Sequence, residues 1–294
     1  MEDMVTHADS LIGNSTFADG FDRRDFLKVS IGTGFAAAAL PVAAQSMIKT
    51  DTDGLTAGTI NITVDGQVVP VYRAQPAGKS NLPTVLVISE IFGVHEHIAD
   101  VARRFAKLGY LALAPDLFVR QGDPKAYPTI PELIKEVVAK VPDQQVMNDL
   151  DAVVAYAKAN GGNTDKLGIT GFCWGGRITW LYSAHRPTVK AGVAWYGQLV
   201  GTKSTLNPHS AVDVAPDLKV PVLGLYGAKD TGISLDHIAT MKAALAQGKS
   251  GSEFVVFPNS GHAFHADYRP SYVEADAKEG WQKCVAWLKA HGVS

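Results

Sequence analysis

Cys173 stands among glycines in the run Gly168-Ile169-Thr170-Gly171-Phe172-Cys173-Trp174-Gly175-Gly176. A nucleophile framed as G-x-nucleophile-x-G, after an apolar run and before a helix-length segment, marks a sharp strand-to-helix turn. Such a turn is too crowded for side chains at the flanking positions. It also sets the sulfur at a helix N-terminus, where the positive end of the helix favours the thiolate, the reactive form. The chemistry implied is nucleophilic attack on an acyl carbon. The competing reading of any cysteine is a small buried hydrophobe. That reading suits Cys284, which shares a helical stripe with Trp281 and Leu288. Two cysteines make no disulfide framework, and a bridge between them would disable the nucleophile.

A nucleophile needs a base, and the base needs an orienting group. Residues 222–230 read as a strand, a glycine-bearing turn and a carboxylate, Asp230. Residues 254–262 read as a strand and a loop ending in Gly261-His262. Each group alone is an ordinary loop residue, but the order nucleophile, acid, histidine is that of the α/β-hydrolase arrangement. Asp230 and His262 are the candidate partners of Cys173, with Asp236 and His265 as substitutes. His262 and His265 also form an H-x-x-H pair, but no further cysteine or histidine lies nearby, so no metal site is expected.

The elements that must position these groups alternate. Runs at 59–64 and 67–72 flank Asp65-Gly66, a two-residue hairpin turn. Short apolar runs come next at 84–89, 110–114, 167–170, 191–196, 220–226 and 254–257, and helical patterns at 98–108, 145–159, 175–185, 235–246 and 272–291. Gly109 and Gly161 fit helix stops. The pattern predicts an α/β fold with a mainly parallel central sheet of about eight strands and helices on both faces. Ligands of such sheets bind beyond the carboxyl ends of the strands, where Cys173, Asp230 and His262 all fall.

The remaining features bound the function. A net charge of −2 over 294 residues provides no basic surface for nucleic acid or a membrane. Residues 1–45 carry Arg23-Arg24 before Phe26-Leu27-Lys28, a weakly apolar stretch of about a dozen residues, and small residues at Pro41-Val42-Ala43-Ala44. This reads as a twin-arginine signal peptide, too short to span a bilayer. It implies passage through the twin-arginine export machinery, maturation near Gln45, and work in a bacterial periplasm or outside the cell. Residues 46–58 read as a polar linker and 59–294 as one catalytic domain. Gly32-Thr33-Gly34 comes after no strand, so no nucleotide loop and no cofactor are expected. Nothing in the sequence reports the oligomeric state.

Five blocks in order, Ser89-Glu90-Ile91-Phe92-Gly93, Ala114-Pro115-Asp116-Leu117, Gly171 to Gly176, Gly227-Ala228-Lys229-Asp230 and Gly261-His262-Ala263-Phe264, resemble the dienelactone hydrolase (carboxymethylenebutenolidase) family. The resemblance implies hydrolysis of a small ester or lactone by a triad of Cys173, Asp230 and His262. It also implies that Glu90 holds the resting thiol and that the backbone N–H groups of Ile91 and Trp174 form the oxyanion hole. Glu90 ends an apolar run, where a carboxylate needs a partner in any case. In that family two arginines hold a substrate carboxylate, but one of the corresponding positions is Ala266 here. Arg120, Tyr127, Phe264 and Arg269 are the candidates for substrate contact. The alternatives are an esterase or thioesterase for another acyl compound, a noncatalytic binding protein on the same scaffold, and a thiol redox protein.

Overall fold

The computed structural model describes residues 47–294; the twin-arginine segment lies outside the described residues. In chain order the elements are β1 (Leu55–Val64), β2 (Gln67–Pro76), β3 (Leu82–Ile88), α1 (Glu96–Lys107), β4 (Leu111–Pro115), α2 (Ile130–Glu136), α3 (Asp143–Ala159), β5 (Gly162–Phe172), α4 (Trp174–His185), β6 (Ala191–Trp195), α5 (Ala211–Val214), β7 (Val222–Gly227), α6 (Leu235–Leu245), β8 (Glu253–Phe257) and α7 (Glu274–Ala290). They build one eight-stranded sheet in the order β1-β2-β4-β3-β5-β6-β7-β8. β1 and β2 form an antiparallel hairpin, β2 joins β4 antiparallel, and every other pairing is parallel. The Asp65-Gly66 turn has positive φ at both residues, 50° and 77°, which matches the strand twist.

The inner stretches of the parallel strands, such as residues 167–172 of β5, are buried and mostly apolar because both faces are covered. β5 shows how: Gly168 abuts Leu288 of α7, whereas Gly171 abuts Gly175 and Thr179 of α4. Residues three apart on a strand point to opposite faces, so α7 and α4 lie on opposite sides of the sheet. α1 shares the α7 side, its Phe105 ring lying 4.7 Å from that of Trp281. α3 shares the α4 side, where Tyr182 donates to Asp151. In α1 the buried Ile98, Val101, Ala102 and Phe105 recur at helical spacing. The helix stops before Gly109, at φ 96°. Burial of Ile98, Val101 and Phe105 contributes about 1.5–3 kcal/mol each.

One expectation is corrected at the start of the domain. Within the expected linker, residues 46–58, the described part is structured: β1 begins at Leu55, and residues 48–50 are docked on α1 and on the loop after β8. The N–H of Ile48 donates to Asp267, that of Thr50 to Asp100, and the Arg103 guanidinium donates to the Thr50 carbonyl. These bonds are made by the segment's backbone, and the carboxylates that accept them, Asp267 and Asp100, are buried.

Candidate active site

β5, β6, β7 and β8 are neighbours, so the loops leaving their carboxyl ends converge at one edge. Cys173 comes directly after β5 and is the N-cap of α4, with φ 53° and ψ −114°. That backbone is strained for a residue with a Cβ, and strain of this kind costs on the order of 1–3 kcal/mol. The surroundings hold it in place. The Cys173 N–H donates to the Trp195 carbonyl (2.9 Å), and its own carbonyl accepts from Gly176 (2.9 Å) and Arg177 (3.2 Å). A Cβ at Gly171 would lie 2.2 Å from the Gly175 carbonyl oxygen, and one at Gly175 would lie 2.4 Å from that of Ile88. Backbone packed this tightly admits only glycine at both positions, which is the physical content of the G-x-C-x-G spacing.

Asp230 stands in the turn after β7 and His262 in the loop after β8. The two loops are stitched together, since the Ala228 N–H donates to the Phe257 carbonyl and the Lys229 N–H to that of Ser260, each at 2.9 Å. Asp230 Oδ1 accepts the N–H groups of Gly232 (2.9 Å) and Ile233 (3.1 Å). Its Oδ2 lies 2.7 Å from His262 Nδ1, and both side chains are fully buried. Burial disfavours the imidazolium, but Asp230 and the neighbouring Cys173 sulfur outweigh it and push His262 up to about 10. Cys173 reaches His262 by hydrogen bonding as well as by charge. The three side chains therefore form one connected unit.

Glu90, buried in the turn after β3, faces the same space. Burial alone would raise its carboxyl, but the hydrogen bond and charge of His95 and the charge of His97 hold it at about 2. Its Oε2 lies 3.2 Å from His95 Nε2, and its Oε1 accepts the Tyr268 hydroxyl at 3.3 Å. Ile91 sits in the same turn and Trp174 is the first residue of α4. The contact between Gly175 and the Ile88–Ser89 carbonyls brings these two segments together.

The other sequence candidates separate. Arg120 is engaged structurally: it forks onto the buried carboxylate of Asp149 (2.6 and 2.9 Å) and donates to the Val64 carbonyl, clamping α3 to the hairpin. Phe264 is fully buried against Trp195, Tyr196 and Phe257 and belongs to the core beneath His262, not to a pocket wall. Tyr127 is half-buried against the core beside Gly122. Arg269 is half-buried, its guanidinium 5.3 Å above the Phe92 ring next to Glu90. The substitutes also fall away. Asp236 is exposed in the first turn of α6. His265 is packed between Phe172 and Trp195, where burial and the charges of His97 and Arg104 hold it well below the usual histidine range.

Three residues at this edge were not singled out from sequence: His95, Tyr268 and Tyr196. His95 and Tyr268 are the partners of Glu90. Tyr196 comes just after β6 with φ 38° and has its ring 5.1 Å from that of His262. The signal for it was its place at the carboxyl end of a parallel strand, before Gly197.

Residues 69–292 match the dienelactone hydrolase family. A "Putative carboxymethylenebutenolidase" of Methylorubrum extorquens is 58% identical over 273 residues, covering 92% of this chain and 94% of its own length. A protein of the same description from Escherichia coli K12 is 51% identical over 261 residues, covering 88% of this chain and 96% of its own. A crystal structure described as a "Putative Dienelactone Hydrolase" from Klebsiella pneumoniae aligns with a TM-score of 0.79 at 55% identity, over 80% of this chain and 98% of that one.

Proposed function

This chain belongs to the dienelactone hydrolase family and is a carboxylic ester hydrolase; on that premise we propose that it cleaves a small ester or lactone through a thioester on Cys173. The observation that carries the mechanism is the buried Asp230–His262 pair at 2.7 Å joined to the Cys173 sulfur at the carboxyl edge of the sheet. Asp230 fixes the imidazole with Nδ1–H toward itself, which leaves Nε2 to take the thiol proton. The thiolate attacks the acyl carbon, and the developing oxyanion is received by the backbone N–H groups of Ile91 and Trp174. The C–O bond then breaks, its electron pair leaves with the alkoxide or enolate, and the His262 imidazolium returns the proton to it. Water, deprotonated by His262, releases the acid and restores the thiol.

In this scheme Glu90 keeps the role of the carboxylate that holds the resting thiol. His95 and Tyr268 hold it as a carboxylate beside the site. Arg269 over Phe92 is the positive group best placed to meet an anionic end of a substrate. Export of the folded enzyme belongs to the same proposal, supported by Arg23-Arg24 and the small residues ending at Ala44; an exported protein still beginning at Met1 would refute that part.

The test is turnover of a short-chain p-nitrophenyl ester and of a dienelactone by the wild type, Cys173→Ser and Cys173→Ala. Wild-type cleavage with no turnover by Cys173→Ala, and a covalent acyl adduct on Cys173 by mass spectrometry, is the expected result. A fully active Cys173→Ala refutes the mechanism, and an adduct of oxygen in place of acyl would favour a thiol redox role.

A further inference from the structure

Among the described residues, five tyrosines are buried: Tyr110, Tyr182, Tyr196, Tyr226 and Tyr268. Four of their hydroxyls have partners, Tyr110 in the Val293 carbonyl, Tyr182 in Asp151, Tyr226 in the Gly197 carbonyl and Tyr268 in Glu90. The hydroxyl of Tyr196, in a fully buried residue, has none. A buried hydroxyl left unsatisfied forfeits its hydrogen bonds to water with nothing in return. Tyr196 adds backbone strain to that cost, with φ 38° for a bulky aromatic residue.

The fold enforces the placement. The Tyr196 N–H is held by the Leu225 carbonyl at 2.8 Å, and the next carbonyl, of Gly197, accepts the Tyr226 hydroxyl. A Cβ at Gly197 would lie 2.3 Å from the Gly176 carbonyl carbon, so α4 and the chain leaving β6 are locked together. Among the described residues, three of the five non-glycine residues with positive φ, Cys173, Tyr196 and Ala263, lie at this edge. Two costly features of one residue, both fixed by the packing that also fixes the nucleophile, point to use by a ligand.

The strand order says which part of the ligand. In the order β3-β5-β6-β7-β8, the Ile91 turn lies on one side of Cys173, and Tyr196, Asp230 and His262 lie on the other. The oxyanion side is therefore opposite to Tyr196, whereas the base that protonates the departing oxygen is its ring neighbour at 5.1 Å. Burial, with the charges of Glu90, Tyr268 and the Cys173 sulfur, raises the Tyr196 phenol well above its ordinary range, so it stays a donor. We propose that the Tyr196 hydroxyl donates a hydrogen bond to the leaving-group oxygen of the bound ester, a contact that rests on the thioester reading above. As the C–O bond breaks, the electron pair passes to that oxygen and the proton comes from His262. Tyr196 keeps its own proton and stabilises the developing charge.

The experiment compares wild type, Tyr196→Phe and Cys173→Ala on phenyl acetates whose leaving phenols are graded in acidity, reading kcat/KM, with thermal midpoints alongside. Phenylalanine keeps the ring contacts with His262 and Phe264 and removes only the hydroxyl. For Tyr196→Phe we expect a loss of about 10-fold with p-nitrophenol as leaving group, growing to about 100-fold with unsubstituted phenol. The midpoint should equal or exceed that of the wild type. Equal losses for every leaving group, or no loss, overturn the inference while leaving the triad standing, and so does a lowered midpoint with a uniform loss. A wild type that cleaves none of the esters, or an active Cys173→Ala, overturns the thioester reading and this inference with it.

Discussion

Replacing Asp230 with asparagine tests the site at its most buried point. Asp230 Oδ1 is committed to the N–H groups of Gly232 and Ile233, and Oδ2 faces His262 Nδ1 at 2.7 Å. In Asp230→Asn the amide oxygen must stay with the two backbone donors, so the NH2 group turns to His262. Nδ1 then has to accept a hydrogen bond, and the ring proton moves to Nε2, the nitrogen that must take the thiol proton. The charge is lost as well. The rise of His262 from 6.5 to about 10 corresponds to roughly 5 kcal/mol of preference for the imidazolium. Asp230 is the largest of the causes that raise it, ahead of Cys173. Wrong tautomer and missing charge together should lower kcat/KM by about 10³- to 10⁴-fold. The same pair sets a stability window. A histidine whose folded value is raised binds more protons folded than unfolded between 6.5 and about 10. Its stabilisation is therefore complete below 6.5 and lost as the pH climbs through about 10. Urea unfolding of the wild type should weaken across that window and that of the variant should stay flatter, while side-chain NMR should show His262 titrating at least about two units lower in the variant. A variant within about threefold of wild-type kcat/KM, or an unmoved His262 titration, would falsify the assignment of Asp230 as its partner.

Other perturbations separate the site from its supports. Arg120→Ala leaves the fully buried Asp149 carboxylate without its fork and should cost about 3–5 kcal/mol of stability with KM for a small ester unchanged; a tenfold rise in KM on an unaltered fold would restore Arg120 to the pocket. Gly171→Ala drives a Cβ to 2.2 Å from the Gly175 carbonyl oxygen, and the loss should exceed about 3 kcal/mol in chemical denaturation, together with turnover. Glu90, held at about 2 against 4.5 for the free carboxyl, adds stability above 4.5 that disappears as pH falls through about 2, roughly 3 kcal/mol in all. Glu90→Gln should flatten that acid limb in thermal midpoints taken against pH; an unchanged limb would show that His95 does not hold the group ionised.

Where the chain was legible, it was legible for a steric reason. The elbow, the acid and the histidine each come after a strand that had to be apolar on both faces. The elbow glycines were required by backbone approaches of 2.2–2.4 Å, which allow no substitution. Constraints on the backbone leave marks in residue type. Choices of partner do not, and there the sequence misled. Arg120 in a variable loop looked available for a substrate, but a buried carboxylate on a helix about thirty positions away had already claimed it. Phe264, two residues after His262, looked like a pocket wall, although its side chain turns down into the aromatic core. The docked residues 48–50 looked like linker because their bonds are made by main-chain groups, which carry no residue signature. Glu90 shows both sides of this. Its position after an apolar run announced a carboxylate in need of a partner, but His95 and Tyr268 could be found only by folding the chain, since one is five residues away and the other 178. The same reasoning makes Tyr196 informative. Its place at a strand end was legible, but its strain and its unsatisfied hydroxyl were not, and an unpaired hydroxyl on a ring packed against a base is the kind of local conflict expected where a fold is shaped to receive a substrate.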